Sequence, residues 1–412
     1  MNDASSNTAL AGIRVLDLST RFGFYTGKLF ADMGADVVLV EQPGGCALRD
    51  EAPFLGNQAG TSLGIPFNYL NTSKRGISLD LTQTADLAVF RELAAVADLI
   101  IEDGPPGTLR RRGIDHEQLV ARNAALVLTS ITPFGQSGPY AQFAATDLTL
   151  LALGGFLNMM GYPDGPPTQA YGNQAVAIGC MFAAVGSMMA VLAAQVDGVG
   201  QRVDVAIHEC VTMAIENAAQ FYDLAGVVRK RFAGEMRHAG TGVFECCDGY
   251  VYLFAGGMGA ARFWNNLVRW LQEEDVAGSQ VLSEPRWTDS RFMDSGEAKS
   301  IFDEIFPSFC ARWRKEDLYH ESQRRNVPLC PINDVEDVLN NAQMRHRGLF
   351  VGVPHERFGE EILMPGVPFH LSASPGRIAH RAPELGEHND LVLAEWGVRH
   401  TRSRSAVEGR GA

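Results

Sequence analysis

Two short clusters carry the cationic chemistry of an otherwise acidic chain: Asn71-Thr-Ser-Lys74-Arg75 and Arg110-Arg111-Arg112. Ammonium and guanidinium groups side by side supply the charge-assisted donors that phosphate oxygens accept. Such runs more often serve as solvated faces. Both clusters here fall in loops beside strand signals of a parallel sheet, the edge at which open α/β folds take their ligands, and that placement favours a polyphosphate ligand. Other patterns are weaker. Gly23-Phe-Tyr-Thr-Gly27-Lys28 follows a strand and opens a helix, but it is one residue short of a phosphate loop, and Leu29 stands where Ser or Thr would hold magnesium. Gly257-Met-Gly259 has Arg262 at the third glycine position of a dinucleotide turn, which leaves a helix-start loop as the better reading. Gly135-Gln-Ser-Gly138 lacks the spacing of a nucleophile elbow. The ten histidines form no HExxH and no close ligand pair, so no metal is expected.

The 412 residues include 35 basic and 48 acidic side chains, a formal charge of −13. That balance argues against nucleic acid as a partner and against electrostatic docking on an anionic membrane. Seven cysteines, an odd number with no CxxC, fit neither a disulfide framework nor a zinc ribbon and point to a reducing cytoplasm. Met1 to Ala9 lack the order of a signal peptide. Gln174–Gln195 holds no charged residue and is long enough to span a bilayer. It is rich in Ala and Gly and has no basic flank, so a buried helix in a large core is expected.

The elements that must position these groups alternate. Strands are expected at Ile13–Leu18, Val37–Glu41, Ile77–Leu81, Leu99–Ile101, Leu126–Ile131 and Arg202–Ala206. Helices are expected at Phe24–Met33, Thr84–Val96 and Ile207–Ala225. This pattern makes an α/β fold with a mostly parallel sheet and right-handed crossovers. Asp248-Gly249 within Glu235–Phe254 signals a hairpin, and amphipathic helices follow at Ala260–Trp270 and Phe302–Arg314. The expected division is 1–227 for a large domain, 228–330 for a smaller one and 331–412 for a return to the first, with Leu329–Ile332 as the crossing and Thr401–Ala412 as a frayed tail.

Taken in order, several stretches resemble the family III CoA-transferases, which include formyl-CoA transferase, carnitine CoA-transferase and alpha-methylacyl-CoA racemase. They are Leu10–Ser19, Ala31–Val38 with Glu41–Gly45, Asn71–Asp80, Ala97–Glu102 with Pro106-Gly107, Ser130–Tyr140, Gly198–Glu209 and Pro383–Asn389. The segment Ser130-Ile-Thr-Pro-Phe-Gly-Gln-Ser-Gly-Pro-Tyr140 is the most specific of them. The resemblance implies a Rossmann-like large domain, a smaller α+β domain and an interlocked dimer. It implies CoA and acyl-CoA as substrates with no permanent cofactor. It places Asn71, Lys74 and Arg75 at the nucleotide end of CoA, Arg111 at another contact, and Asp103, where Asn is common, among the CoA-binding positions.

The resemblance also implies a mechanism. One aspartate attacks the acyl-CoA thioester to give a mixed anhydride. The released thiolate converts that to an enzyme-bound CoA thioester, and an acceptor carboxylate then takes the CoA. In this chain the position is Asn173, and an amide carries no charge with which to attack. Gln42 replaces an expected arginine, Gly23-Phe24 replaces Gly-Pro, and His238-Ala-Gly-Thr-Gly242 matches a glycine-rich loop only in part. The histidine of the racemases would fall at Thr146, which argues against proton transfer at an α-carbon. The favoured reading is a companion subunit beside a homologous catalytic chain that keeps the aspartate, as in the transferase that moves CoA from succinyl-CoA to benzylsuccinate. An Asp-to-Asn variant of an active homodimer, or a CoA-ester-binding protein without transfer, are the alternatives. Asp147 and Glu209 are further carboxylates of interest, and Phe22, Phe24 and Tyr25 lean towards an aryl-substituted acid.

Overall fold

A computed structural model describes residues 7–57, 63–257, 259–356 and 359–398. The tail Thr401–Ala412 and Met258, the middle residue of Gly257-Met-Gly259, lie outside them. The chain folds as two units. One comprises Met1–Phe156, Ala170–Ala219 and Gln343–Ala412, and the other Leu157–Gln169 and Gln220–Ala342.

The larger unit is built on six parallel strands: β1 (Arg14–Asp17), β2 (Asp36–Glu41), β3 (Arg75–Ser78), β4 (Leu99–Glu102), β5 (Val127–Thr132) and β6 (Arg202–Ala206). Their order is β3-β2-β1-β4-β5-β6, so the direction of winding reverses between β1 and β4. Every residue of β4 and β5 is buried, because a parallel sheet is covered on both faces and its strands read as unbroken apolar runs. β3 begins two residues earlier than Ile77, as its pairing with Val38–Glu41 of β2 dictates.

The β3 edge is closed by residues distant in sequence. Gly76 N–H donates to His388 Nδ1 at 3.1 Å, and Ser78 N–H donates to Asn389 Oδ1 at 2.8 Å. His388 N–H returns a bond to Gly76 O at 2.9 Å. A side chain at Gly76 would put its Cβ 2.9 Å from Pro383 Cβ. The segment Pro383–Asn389 is thus an edge cover that satisfies the strand's outward donors.

The helix Gln174–Asp197 lies against β5, β6 and the Phe24–Asp32 helix. Its buried face is made of small residues such as Ala175, Gly179, Ala183, Ser187 and Ala190. A Cβ at Gly179 would come 2.9 Å from Ile207 Cγ1, so glycine permits the close approach. The opposite face is apolar and open: Met181, Phe182, Val185, Met189, Leu192 and Val196 are all exposed. The expected core helix is therefore buried on one face only. A helix that is apolar all round gives no periodicity from which a sequence could tell this. The expected helix Ile207–Ala225 is two, Ile207–Ala214 and Ala218–Ala225, parted where Glu216 takes φ 52°.

The smaller unit holds an antiparallel sheet, β7 (Thr241–Cys246), β8 (Gly249–Phe254) and β9 (Leu329–Ile332), in that order. The expected crossing segment Leu329–Ile332 is thus its third strand. Trp264, Trp270, Trp287, Phe302, Phe306 and Phe309 fill its core. In the larger unit, β10 (Phe350–His355) and β11 (Glu360–Pro365) form a hairpin.

Burial pushes the His388 imidazole below the usual histidine range, with Glu387 opposing and the charges of His380, Arg75 and Arg381 adding to the fall. The neutral ring is the form that accepts from Gly76. Its contribution to stability is present above the ordinary histidine value of about 6.5 and is lost as pH falls below it. The melting temperature of the wild type should therefore drop more between neutral and mildly acidic buffer than that of His388→Gln. Equal drops would show that this clamp does not titrate.

Candidate functional site

The carboxyl ends of β1 and β4 flank the point where the winding reverses, which is where open parallel sheets bind ligands. Asp17, the last residue of β1, is fully buried and pairs with Lys74 Nζ at 2.7 Å. The same ammonium donates to Phe24 O at 2.8 Å and to Asn71 Oδ1 at 2.9 Å. All three of its donors are taken. Asn71 is also fully buried, and its Nδ2 donates to Phe67 O at 3.0 Å. A Cβ at Gly27 would lie 2.2 Å from Asp17 Oδ2 and 2.8 Å from Lys74 Nζ, and one at Gly23 would lie 2.2 Å from Ser19 Oγ. The glycines that imitate a phosphate loop thus admit this ion pair and the tight turn before the helix.

Lys28 is occupied in the same way. Its Nζ donates to Asp32 Oδ2 at 2.7 Å and Thr72 Oγ1 at 2.6 Å, and Ser73 Oγ donates to Asp32 Oδ1 at 2.6 Å. Arg75 bridges Asp36 and Glu395, and so fixes the C-terminal helix Asn389–Glu395 to the sheet edge. The structure therefore brings Asn71, Lys74 and Arg75 against internal partners. To read Lys74 as a phosphate ligand would require its pair with Asp17 to open. No pattern of charges along the sequence reveals these partners, which come from β1, β2, the Phe24–Asp32 helix and the Asn389–Glu395 helix.

Asp103 follows β4 directly and is 5% exposed. Its carboxylate accepts from the backbone N–H groups of Thr20, Arg21, Phe22 and Gly23 at 2.8, 2.7, 2.6 and 3.1 Å, and from Thr20 Oγ1 at 3.0 Å. Burial pushes its pKa up, and the four backbone donors pull against that. The second cationic cluster is open. Arg110 reaches Asp115 only at 3.8 Å and is largely exposed. Arg111 donates to Thr108 Oγ1 at 2.9 Å and to Pro106 O at 3.3 Å. Arg110 also borders a cavity of about 520 Å³, with Glu102, His116, Gln136, Arg202 and Asp204.

Asn173 is exposed and precedes the helix Gln174–Asp197. Its carbonyl accepts from Ala177 N–H at 3.0 Å, while its amide makes no capping bond. The capping falls to Asp147, whose Oδ1 accepts from Val176 N–H at 3.1 Å. Asp147 is 8% exposed, its Oδ2 has no partner, and burial pushes its pKa up against the pull of the amides of Val176, Ala175 and Gln174. Glu209 stands exposed in the first turn of the Ile207–Ala214 helix. Phe24 is core, edge-on to Phe67, whereas Phe22 and Tyr25 are half-buried. Gln42 is exposed. In the smaller unit, His238 Nδ1 is hydrogen-bonded to Asp294 Oδ1. Among the described residues no group of three or more His, Cys, Asp or Glu could hold a metal ion.

The model for CoA-transferase family III matches residues 10–389. The chain belongs to this family. It is 39% identical over 385 residues to the succinyl-CoA:(R)-benzylsuccinate CoA-transferase subunit BbsE of Thauera aromatica, covering 93% of each chain. It is 31% identical to the succinate–glutarate CoA-transferase of Agrobacterium fabrum, over 94% of this chain and 95% of that one. A crystal structure of a CAIB/BAIF family protein from Brucella suis superposes with a TM-score of 0.80 at 27% identity, over 95% of this chain and all of that one. A family III enzyme works on CoA thioesters, which are its substrates and not a resident cofactor.

In this family III chain the ion pair of Asp17 and Lys74 is fully buried at the carboxyl end of β1. Lys74→Met leaves the buried Asp17 carboxylate with only the Ser19 N–H, at 2.9 Å, and no counter-charge, and should cost about 3–5 kcal/mol, read by urea denaturation. A cost near zero would show that the pair contributes nothing to the fold.

Proposed function

We propose that this chain is the non-catalytic companion of a two-chain family III CoA-transferase, whose homologous sister supplies the nucleophilic aspartate. The observation that carries this is Asn173. The resemblance puts an aspartate there, at the start of the long helix, and the neutral amide stands exposed, uncharged and unactivated. A carboxamide cannot form the acyl anhydride that the transfer needs. Asp147 lies beside the same helix start, but its Oδ1 is committed to backbone donors and the residue is buried.

Two further observations support a partner. The relative from Thauera aromatica is itself named as a subunit. The apolar stripe from Met181 to Val196 presents six exposed side chains on one helix face, more than an isolated surface helix usually leaves in water. The partner is then the sister chain, in an interlocked dimer in the cytoplasm. By the same likeness, the donor is succinyl-CoA and the acceptor an aryl-substituted dicarboxylic acid such as benzylsuccinate. The half-buried rings of Phe22 and Tyr25 suit an aromatic acid. The CoA contacts of this chain narrow to its open cations, Arg110 and Arg111.

The chain purified alone should move no CoA between succinyl-CoA and benzylsuccinate. Co-expression with an aspartate-bearing sister should restore transfer, and mass spectrometry should find the CoA thioester adduct on the sister only. Asn173→Asp in the lone chain should remain inactive. Transfer by the unaltered lone chain at the rate of the pair would overturn the proposal, and full rescue by Asn173→Asp alone would favour a homodimeric enzyme.

A further inference from the structure

In open parallel sheets the first turn after β1 offers its backbone N–H groups, at the start of the following helix, to the diphosphate of a nucleotide. In this chain that turn is already full. The N–H groups of Thr20, Arg21, Phe22 and Gly23, the four residues ahead of the Phe24–Asp32 helix, all converge on the Asp103 carboxylate, and the Thr20 hydroxyl joins them. Asp103 comes from the opposite lip of the same crevice, one residue beyond β4. It is 5% exposed and so cannot swing aside without opening the turn.

We infer that Asp103 acts as a built-in anion that closes this subunit's own switch-point crevice to the phosphates of CoA. A carboxylate and a phosphate compete for the same donors, and the resident charge repels the newcomer. The buried cations packed against the Phe24–Asp32 helix are already spoken for, and the Arg21 side chain, on the turn itself, is exposed. Lys74 is held by Asp17, Asn71 and Phe24, Lys28 by Asp32 and Thr72, and Gln42 is neutral. An Asn at 103 would present one acceptor oxygen and an amide group whose hydrogens face the turn's own N–H groups. It could not satisfy all five donors, and the turn would be left with donors for an external anion. In the two-chain enzyme proposed above, on which the meaning of this device rests, a CoA diphosphate would then be held at the switch point of the sister alone.

Hydrogen exchange read by mass spectrometry over residues 18–24 tests this, in the lone chain and in the assembled pair, with and without CoA. In the wild type these amides should exchange slowly in the absence of ligand, and saturating CoA should change their rates by less than about twofold. In Asp103→Asn they should exchange about tenfold faster or more, and CoA or inorganic pyrophosphate should slow them again. Protection of residues 18–24 by CoA in the wild type would overturn the inference. So would an Asp103→Asn chain, shown by circular dichroism to be folded, whose exchange and CoA response match the wild type. If that variant does not fold, the wild-type arm still decides. The readout is independent of transfer activity, so a lone chain that transferred CoA would defeat the companion reading without touching this result.

Discussion

The pair formed by Asp17 and Lys74 is the joint on which the larger unit turns. It links the end of β1, the first carbonyl of the Phe24–Asp32 helix and the loop that leads into β3, three segments that no stretch of backbone pairing holds together at that point. Two unlike charges buried this deeply are costly to take from water and stay there only when every donor and acceptor finds a partner. That demand fixes the neighbours. Gly27 must be glycine because the carboxylate and ammonium occupy the space its side chain would fill. Asn71 must turn its oxygen to the ammonium and its nitrogen to Phe67. A second buried set, Lys28 with Asp32, Thr72 and Ser73, braces the other side of the same helix.

This arrangement explains why the fold was legible in the sequence and much of the site was not. Strands β1, β2, β4 and β5 declare themselves as apolar runs, since a residue buried on both faces of a sheet has few alternatives. The Asp248-Gly249 turn declares the hairpin of the smaller unit for a similar reason. A cationic cluster declares only its charge. Lys74 and Arg75 read as phosphate ligands in a sequence that does not show the carboxylates of Asp17, Asp36 and Glu395, which the fold brings to them. The helix from Gln174 to Asp197 hides its two faces because alanine, glycine and methionine are apolar in either setting. The position of Asn173 at its start could be read from the sequence, whereas the capping of that start by Asp147 depends on a contact 29 residues apart.

Two buried carboxylates satisfy backbone donors at helix starts from within the chain. Asp103 fills the turn after β1, and Asp147 fills the first turn of the long helix. Each is a carboxylate at a helix start, where the aligned peptide dipoles favour negative charge. Each is buried, so the preference is backed by exclusion of water. Internal anions of this kind make a rigid scaffold.

The closure of the β3 edge has a consequence for how the chain is made. Gly76 and Ser78 wait for His388 and Asn389, which lie 312 and 311 residues further along. During synthesis the ribosome delivers the open edge about 311 residues before its cover. Throughout that interval β3 presents unpaired donors and acceptors to any other nascent strand nearby, the situation in which strands join across chains and aggregate. A chain truncated shortly before Pro383 would retain every strand of the parallel sheet yet lack the piece that finishes it. The later-made segment Pro383–Asn389 is thus the one that commits the earlier-made sheet to its own molecule.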